Sequence, residues 1–263
     1  TEVAGIDSAT DLATGASHAC AVHQQGSVVC WGRNTEYQVM PAQEEEEFVS
    51  SIRSPRPVIG LDRVESVKLS SSHSCALRVV DGGPEASERR EVWCWGSNAG
   101  DRLGRTYIRE DGSLLNYGDP APVPGLDEVI DFALSSATGC ARDPLGRIHC
   151  WGYNSFGGRG LGHTDLVPAE EGATLVSGNL PRAQAIAGAD HHFCALTDGG
   201  VYCWGRNLSH AVAVSEDEIV STPTQVFIEP PEVFLGLSLG SVGPGAYSCA
   251  YNVSRMFCWG YSG

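Results

Sequence analysis

The side chains best equipped for chemistry in this chain are its ten cysteines. Five stand in Cys-Trp-Gly, as Cys30, Cys94, Cys150, Cys203 and Cys258, and five precede an alanine, as Cys20, Cys75, Cys140, Cys194 and Cys249. They alternate along the chain, two per copy with none left over, nine or ten residues apart in four copies and nineteen in the second. Two chemistries suit such pairs: thiolate coordination of zinc, or oxidation to disulfides. His18, His73 and His192 each lie two residues before a cysteine, which speaks for a metal. Structural zinc sites, however, bring two ligands within a few residues and repeat that spacing. Here no Cys-x-x-Cys occurs, and Thr138 and Tyr247 replace the histidine in the third and fifth copies. The expectation is therefore no metal, no cofactor, and cysteines oxidised in a secreted, periplasmic or cell-surface compartment. The histidines are expected to hydrogen-bond a turn between the inner strands.

A second candidate chemistry is a pair of carboxylates. Asp11 and Asp131 fall at one aligned position, and two acids across a cleft can serve as the acid and base of a glycoside hydrolase. The other copies carry Ser66, Ala185 and Gly240 there, which reads as drift at a solvated position. No nucleophile motif or phosphate loop accompanies them, so no catalytic residue and no enzyme is expected.

The copies recur every 53 to 64 residues, and such a repeat dictates architecture before any other feature. Short apolar alternations cut by Gly, Ser and Asp predict strands. Gln24-Gln25-Gly26, Pro144-Leu145-Gly146 and Asp198-Gly199-Gly200 supply the turns between the two cysteine strands of a copy. Adjacent antiparallel strands bring Cβ atoms within bonding range, which pairs Cys20–Cys30, Cys75–Cys94, Cys140–Cys150, Cys194–Cys203 and Cys249–Cys258. A loop of about ten residues closed in this way is stabilised by roughly 2.5–3 kcal/mol in the chain-entropy model. Four strands per copy are predicted, the first near Asp11 to Gly15 and the outermost near Val58 to Leu61. The result is an all-β, five-bladed β-propeller of four-stranded antiparallel blades, one domain over residues 1–263. Val3-Ala4-Gly5-Ile6-Asp7 matches Val58-Ile59-Gly60-Leu61-Asp62, so the N-terminal strand is expected to complete the last blade and close the ring.

His18-Ala19-Cys20-Ala21-Val22, Val201-Tyr202-Cys203-Trp204-Gly205-Arg206-Asn207 and Asn98-Ala99-Gly100-Asp101-Arg102-Leu103-Gly104 resemble regulator of chromosome condensation repeats. The form resembled is the cysteine-rich one of secreted bacterial proteins, and the likeness covers essentially the whole chain. It departs where Gly-x-Leu-Gly is lost in the first and fourth copies, and in having five copies where the best-known members have seven blades. Secreted relatives of this architecture include protein inhibitors that grip an enzyme with one rim, and the resemblance implies a similar scaffold here.

The net charge of −15 disfavours nucleic acid and anionic membrane surfaces, and no apolar run is long enough for membrane insertion. The first residues already read as repeat, and no signal peptide is expected among them. The repeated tryptophans are expected to pack between blades. Asn34, Asn98, Asn154 and Asn207, each three residues past a tryptophan, are expected to occupy left-handed turns. Asn207-Leu208-Ser209 and Asn252-Val253-Ser254 also match the N-glycosylation acceptor, although a repeat position is better explained by the fold.

What varies is the loop after each Cys-Trp-Gly, constant in length in the first four copies but free in chemistry. Variable loops on a rigid scaffold commonly build binding surfaces, and Tyr, Phe and Arg dominate contact energies there. The candidate binding residues are Tyr37, Glu45, Tyr107, Arg109, Tyr117, Phe156, Arg159, His163, His210 and Phe227. They predict a non-enzymatic recognition propeller with a protein partner. A glycan-binding, lectin-like propeller is the alternative, and it requires the same polar set in every blade.

Overall fold

Each copy folds as an antiparallel meander, because its apolar runs are short, rich in β-branched residues and broken by turn formers. The computed structural model describes residues 3–40, 48–82, 87–107, 116–165, 172–212, 216–229, 232–242 and 245–261. The first sheet holds β1 (Asp11–Thr14), β2 (His18–His23), β3 (Ser27–Arg33) and β4 (Ser51–Pro57), paired in that order. The second repeats it with β5 (Val64–Leu69), β6 (His73–Val80), β7 (Arg89–Ser97) and β8 (Tyr117–Pro122). The third has β9 (Asp131–Leu134), β10 (Thr138–Arg142), β11 (Ile148–Gly152) and a two-residue β12 (Thr174–Leu175). The fourth has β13 (Ala183–Ala189), β14 (His192–Thr197), β15 (Gly200–Arg206) and β16 (Ile219–Val226). The fifth has three strands, β17 (Gly236–Val242), β18 (Gly245–Tyr251) and β19 (Met256–Gly260). The chain divides into two compact units, Thr1–Val129 with the first two sheets and Ile130–Gly263 with the other three.

In every sheet the two cysteines are directly opposed, with Cα atoms 4.0–4.1 Å apart, and all five pairs are bonded. That separation belongs to the closer, non-hydrogen-bonded type of antiparallel pair, where side chains approach most nearly. The nineteen-residue spacing of the second copy is absorbed by lengthening one hairpin, whose register continues to Val80 opposite Arg89. Its outer reach is covered by charge pairs, Arg63 with Asp81 and Glu88, Arg78 with Asp62, and Arg90 with Glu65.

Cys258 is exposed, whereas the eight cysteines of the first four sheets are fully buried, because no further strand pairs with β19 among the described residues. Thiol exchange depends on access of the attacking thiolate. Titrating the native protein with a mild reductant is therefore expected to open Cys249–Cys258 first. Alkylation and peptide mapping at the first reduced species check this, and label at any of the four other pairs would contradict it.

The outer strands lie earlier in the chain than Val58 to Leu61. β4 ends at Pro57, and Val58 to Leu61 form a turn into the next sheet, with Gly60 at φ 84° and Val58 and Leu61 buried. Val3 to Asp7 make the same turn, Gly5 having φ 86°, and no strand. The sealing strand expected from the N-terminus is therefore not formed, because the segment it matches is a link and not a ladder strand. In three outer strands a register shift sets Pro55, Pro120 or Pro223 where the ladder is interrupted. A proline has no N–H to donate and is tolerated at such irregularities.

Three tryptophans, Trp95, Trp204 and Trp259, sit at seams between neighbouring sheets. Trp95 and Trp204 are fully buried, and their indole N–H groups donate to Gln38 O at 3.1 Å and Gly158 O at 2.9 Å in the loop of the preceding copy. Trp259 makes the same bond to Ala211 O at 2.9 Å. His18 and His192 also work across seams and do not hold a turn within one sheet. His18 Nε2 lies 2.9 Å from Ser74 Oγ, and His192 Nε2 lies 2.9 Å from Ser248 Oγ, each serine belonging to the next sheet. The third copy, with Thr138 instead, places Thr138 Oγ1 2.7 Å from Tyr153 O in its own sheet.

Candidate functional site

The loops after Cys-Trp-Gly are shaped by the four asparagines, though not through a left-handed backbone. None of them has positive φ, and Asn207 sits at φ −101°. All four are buried, and each side chain staples its loop twice. The amide oxygen accepts the N–H five residues on: Val39 at 3.1 Å, Leu103 at 3.0 Å, Arg159 at 3.1 Å and Val212 at 3.0 Å. The amide nitrogen donates to a carbonyl further along the same copy, that of Val49, Arg105, His163 or Asp217. Asn207 is thus buried in the fold with its amide bonded, which leaves no room for a glycan there.

The left-handed residue lies three positions later. Tyr37, Asp101, Gly157 and His210 have φ of 57°, 55°, 68° and 59°, and each N–H returns to the asparagine carbonyl. This is a glycine position by conformation, and only the third copy uses glycine.

Two groups of side chains gather at this end of the sheets. In the first unit Tyr37 packs on Tyr117, ring centroids 4.3 Å apart, and edge-on against the half-exposed Phe48 at 5.4 Å. In the second unit Phe156 stacks on His191 at 4.5 Å, with the Arg206 guanidinium 4.9 Å from its ring centre and Asp190 3.7 Å from His191. Three of the expected binding residues, Tyr37, Tyr117 and Phe156, therefore meet partners at the loop end. His163 and His210 are exposed there too.

Two others have structural work. Arg159 is buried and donates to Thr174 Oγ1 on β12 at 2.8 Å. Tyr107 is held by Arg105 at 2.6 Å and by the Asp119 carbonyl at 3.0 Å. Arg105 itself, which the sequence reading passed over, clips the loop to the carbonyls of Cys94, Ala121 and Pro122. Burial lowers its pKa from the usual arginine value, the dominant effect. Phe227 lies at the opposite end of its sheet. β16 runs from Ile219 beside Arg206 to Val226 beside Val201, so Phe227 emerges near the β14–β15 turn, 80% exposed. Glu45 and Arg109 fall outside the described residues. Asp11 accepts the Val67 N–H at 2.8 Å and so ties the first strand to the next sheet, a structural use of that carboxylate.

Phe48, His191 and Arg206 were missed. Arg206 had a signal, since it directly follows Cys203-Trp204-Gly205. His191 had none, because its role depends on Phe156 of the neighbouring copy, and Phe48 had none, because its contact with Tyr37 depends on how their loop folds.

Residues 9–38, from β1 through the first asparagine turn, match the sequence profile described as the Regulator of chromosome condensation (RCC1) repeat. Over 233 residues the chain is 27% identical to Protein pim1 of Schizosaccharomyces pombe, covering 82% of this chain and 40% of that protein. The chain thus carries a regulator of chromosome condensation repeat and is similar over most of its length to pim1. Among solved structures, human WBSCR16 superposes with a TM-score of 0.80 at 19% identity, over 99% of this chain and 64% of that one. Prp20p from Saccharomyces cerevisiae, whose structure was described with its binding properties to Gsp1p and histones, gives 0.71 at 21% identity, over 95% and 57%. These two likenesses establish a shared propeller fold. The chain spans less than half the length of the curated relatives it matches.

Proposed function

We propose that this RCC1-repeat chain is a non-enzymatic recognition module, secreted or surface-exposed, that holds a protein partner against the loops following Cys-Trp-Gly. The observation that carries the reading is the left-handed loop position. An L-residue there costs about 1–2 kcal/mol relative to glycine, yet the first and fourth copies place Tyr37 and His210 at it, at the solvent end of the sheets. Strain kept at the exposed His210 imidazole, and at a Tyr37 ring that is only partly buried, favours a use for those side chains beyond packing. The five buried or partly buried disulfides and the asparagine staples supply the rigid base that such loops need, and the disulfides favour an oxidising compartment. Protein binding has a precedent in Prp20p, described as binding Gsp1p and histones.

The test is Tyr37→Gly combined with His210→Gly. Glycine relieves the backbone strain but restores about 0.5–1 kcal/mol of chain entropy to be lost on folding, and Tyr37 also gives up its stack on Tyr117. The variant should unfold within about 1 kcal/mol of the parent. A pull-down from the native extracellular medium should lose the captured protein. A variant that keeps its capture, or one several kcal/mol less stable, would assign these side chains to the scaffold instead.

A further inference from the structure

The first sheet carries a second surface, unrelated to the loop ends. β4 is its edge strand, and a groove of about 380 Å³ runs along it from Val49 to Ile59. Val49, Ile52 and Ile59 form an apolar floor, with Ile59 65% exposed, and Arg53, Ser54 and Arg56 stand along its rim.

The charge of this groove runs against that of the protein. The chain has 32 acidic residues against 17 basic ones, and its arginines are mostly engaged. Arg63, Arg78, Arg90 and Arg147 pair with carboxylates, and Arg105 and Arg159 turn inward to the fold. Arg53 and Arg56 have no carboxylate partner among the described residues, and both line this groove. Two guanidinium groups over an apolar floor match a ligand that combines carboxylates with an apolar side chain. The groove follows an edge strand, which suits an extended segment. Pro55 and Pro57 lack an N–H for a backbone ladder, so recognition there falls to side chains.

We infer that the β4 groove binds an extended acidic peptide segment of a partner protein, with its carboxylates on Arg53 and Arg56 and an apolar side chain against Val49, Ile52 and Ile59. The inference does not depend on the loop reading above.

The probe is a fluorescent hexapeptide alternating Glu and Leu, followed by anisotropy at low salt. It is compared with a Lys-Leu peptide and a Glu-Ser peptide of the same length. The titration is run on the full chain and on a background with Glu44 to Glu47 changed to Gln, because the sequence puts those carboxylates between Met40 and Phe48. The Glu-Leu peptide should bind, weaken at least tenfold in Arg53→Glu with Arg56→Glu, and weaken steeply with added salt. Arg53→Lys with Arg56→Lys should retain part of the affinity. Circular dichroism checks that these exposed-edge variants are folded. Equal binding of the Lys-Leu peptide, indifference to the charge reversal, or no binding in the Gln background would each overturn the inference. Equal binding of Glu-Ser, or complete displacement by inorganic phosphate, would overturn it in favour of a site for simple anions.

Discussion

Acidification from pH 7 to pH 5 will lower the unfolding temperature of this protein steeply, before its ordinary carboxylates are protonated. The cause is a set of buried imidazoles. Ser74 Oγ donates to Gln38 O at 2.9 Å, so it accepts from His18, which places the single imidazole proton on Nε2. His18 Nδ1 is buried without a partner, and a second proton there would charge the ring where nothing can accept it. His192 repeats the arrangement through Ser248 and Ala211 O. His73 is more extreme, since neither ring nitrogen has a partner.

Burial lowers His18 to about 4 and His192 to about 4, with Asp190 and the Ala189 backbone pulling His192 the other way and His191 opposing its charge. Burial, then Arg102 and His18, take His73 to about 3. With folded values below the unfolded 6.5, the unfolded chain takes up protons first as the pH drops. The stabilisation is complete above pH 6.5 and is lost between there and about 4, or about 3 for His73. Within that window each histidine contributes a slope of up to about 1.4 kcal/mol per pH unit. Asp143, whose carboxylate is held below its usual range despite burial by bonds from Arg147 and Leu145, adds its loss only at lower pH. Urea melts at half-unit intervals measure the slope. His73→Thr, which installs the residue the third copy uses at Thr138, should remove about a third of it. An unchanged slope in that variant would sink the account.

Trp204→Ala should cost about 3–5 kcal/mol, the range for a large buried aromatic truncated in a packed interior. Trp204 is fully buried, its ring lies 5.9 Å from Phe193, and Gly160 backs it so closely that a Cβ there would lie 3.3 Å from the indole. Removing it opens a cavity at the seam and leaves the Gly158 carbonyl without its donor. Trp204→Phe keeps most of the volume and loses the N–H, so it should cost about 1–3 kcal/mol. Trp259 makes the matching bond to Ala211 O but is partly exposed, and Trp259→Ala should cost less than Trp204→Ala. Denaturant midpoints with the disulfides intact give the comparison. Equal losses at the two positions would mean that seam packing is not what the tryptophan provides.

The histidine seam shows how a repeat can be read and still be misassigned. Aligning the copies placed His18, His73, Thr138 and His192 in one column, and a turn within the sheet was the natural partner. The actual partner of His18 is 56 residues away, in the next column of the next copy, and the partner of His192 is likewise 56 away. That column reads Ser74, Gly139, Phe193 and Ser248, so the two histidines followed by a serine-bearing copy are the two that are bonded. The signal was diagonal, between copies. The asparagines failed differently: the residue type suits both a left-handed turn and a buried staple, and a one-dimensional pattern does not distinguish a backbone preference from a side-chain use.

Sequence alone determined the repeat, the antiparallel hairpins and the partner of every cysteine, because each of those depends on contacts within one strand–turn–strand unit. The short spacing between cysteines leaves a hairpin little freedom in what it can oppose. Tertiary structure decided everything that depends on which end of a sheet a residue reaches or what the adjacent sheet presents. It sent Phe227 to the far end of β16, turned Arg159 and Tyr107 into loop supports, and made a link of the segment read as an outer strand. Those outcomes follow from packing between residues some fifty positions apart, where hydrophobic burial and donor–acceptor matching, and not local preference, select the arrangement.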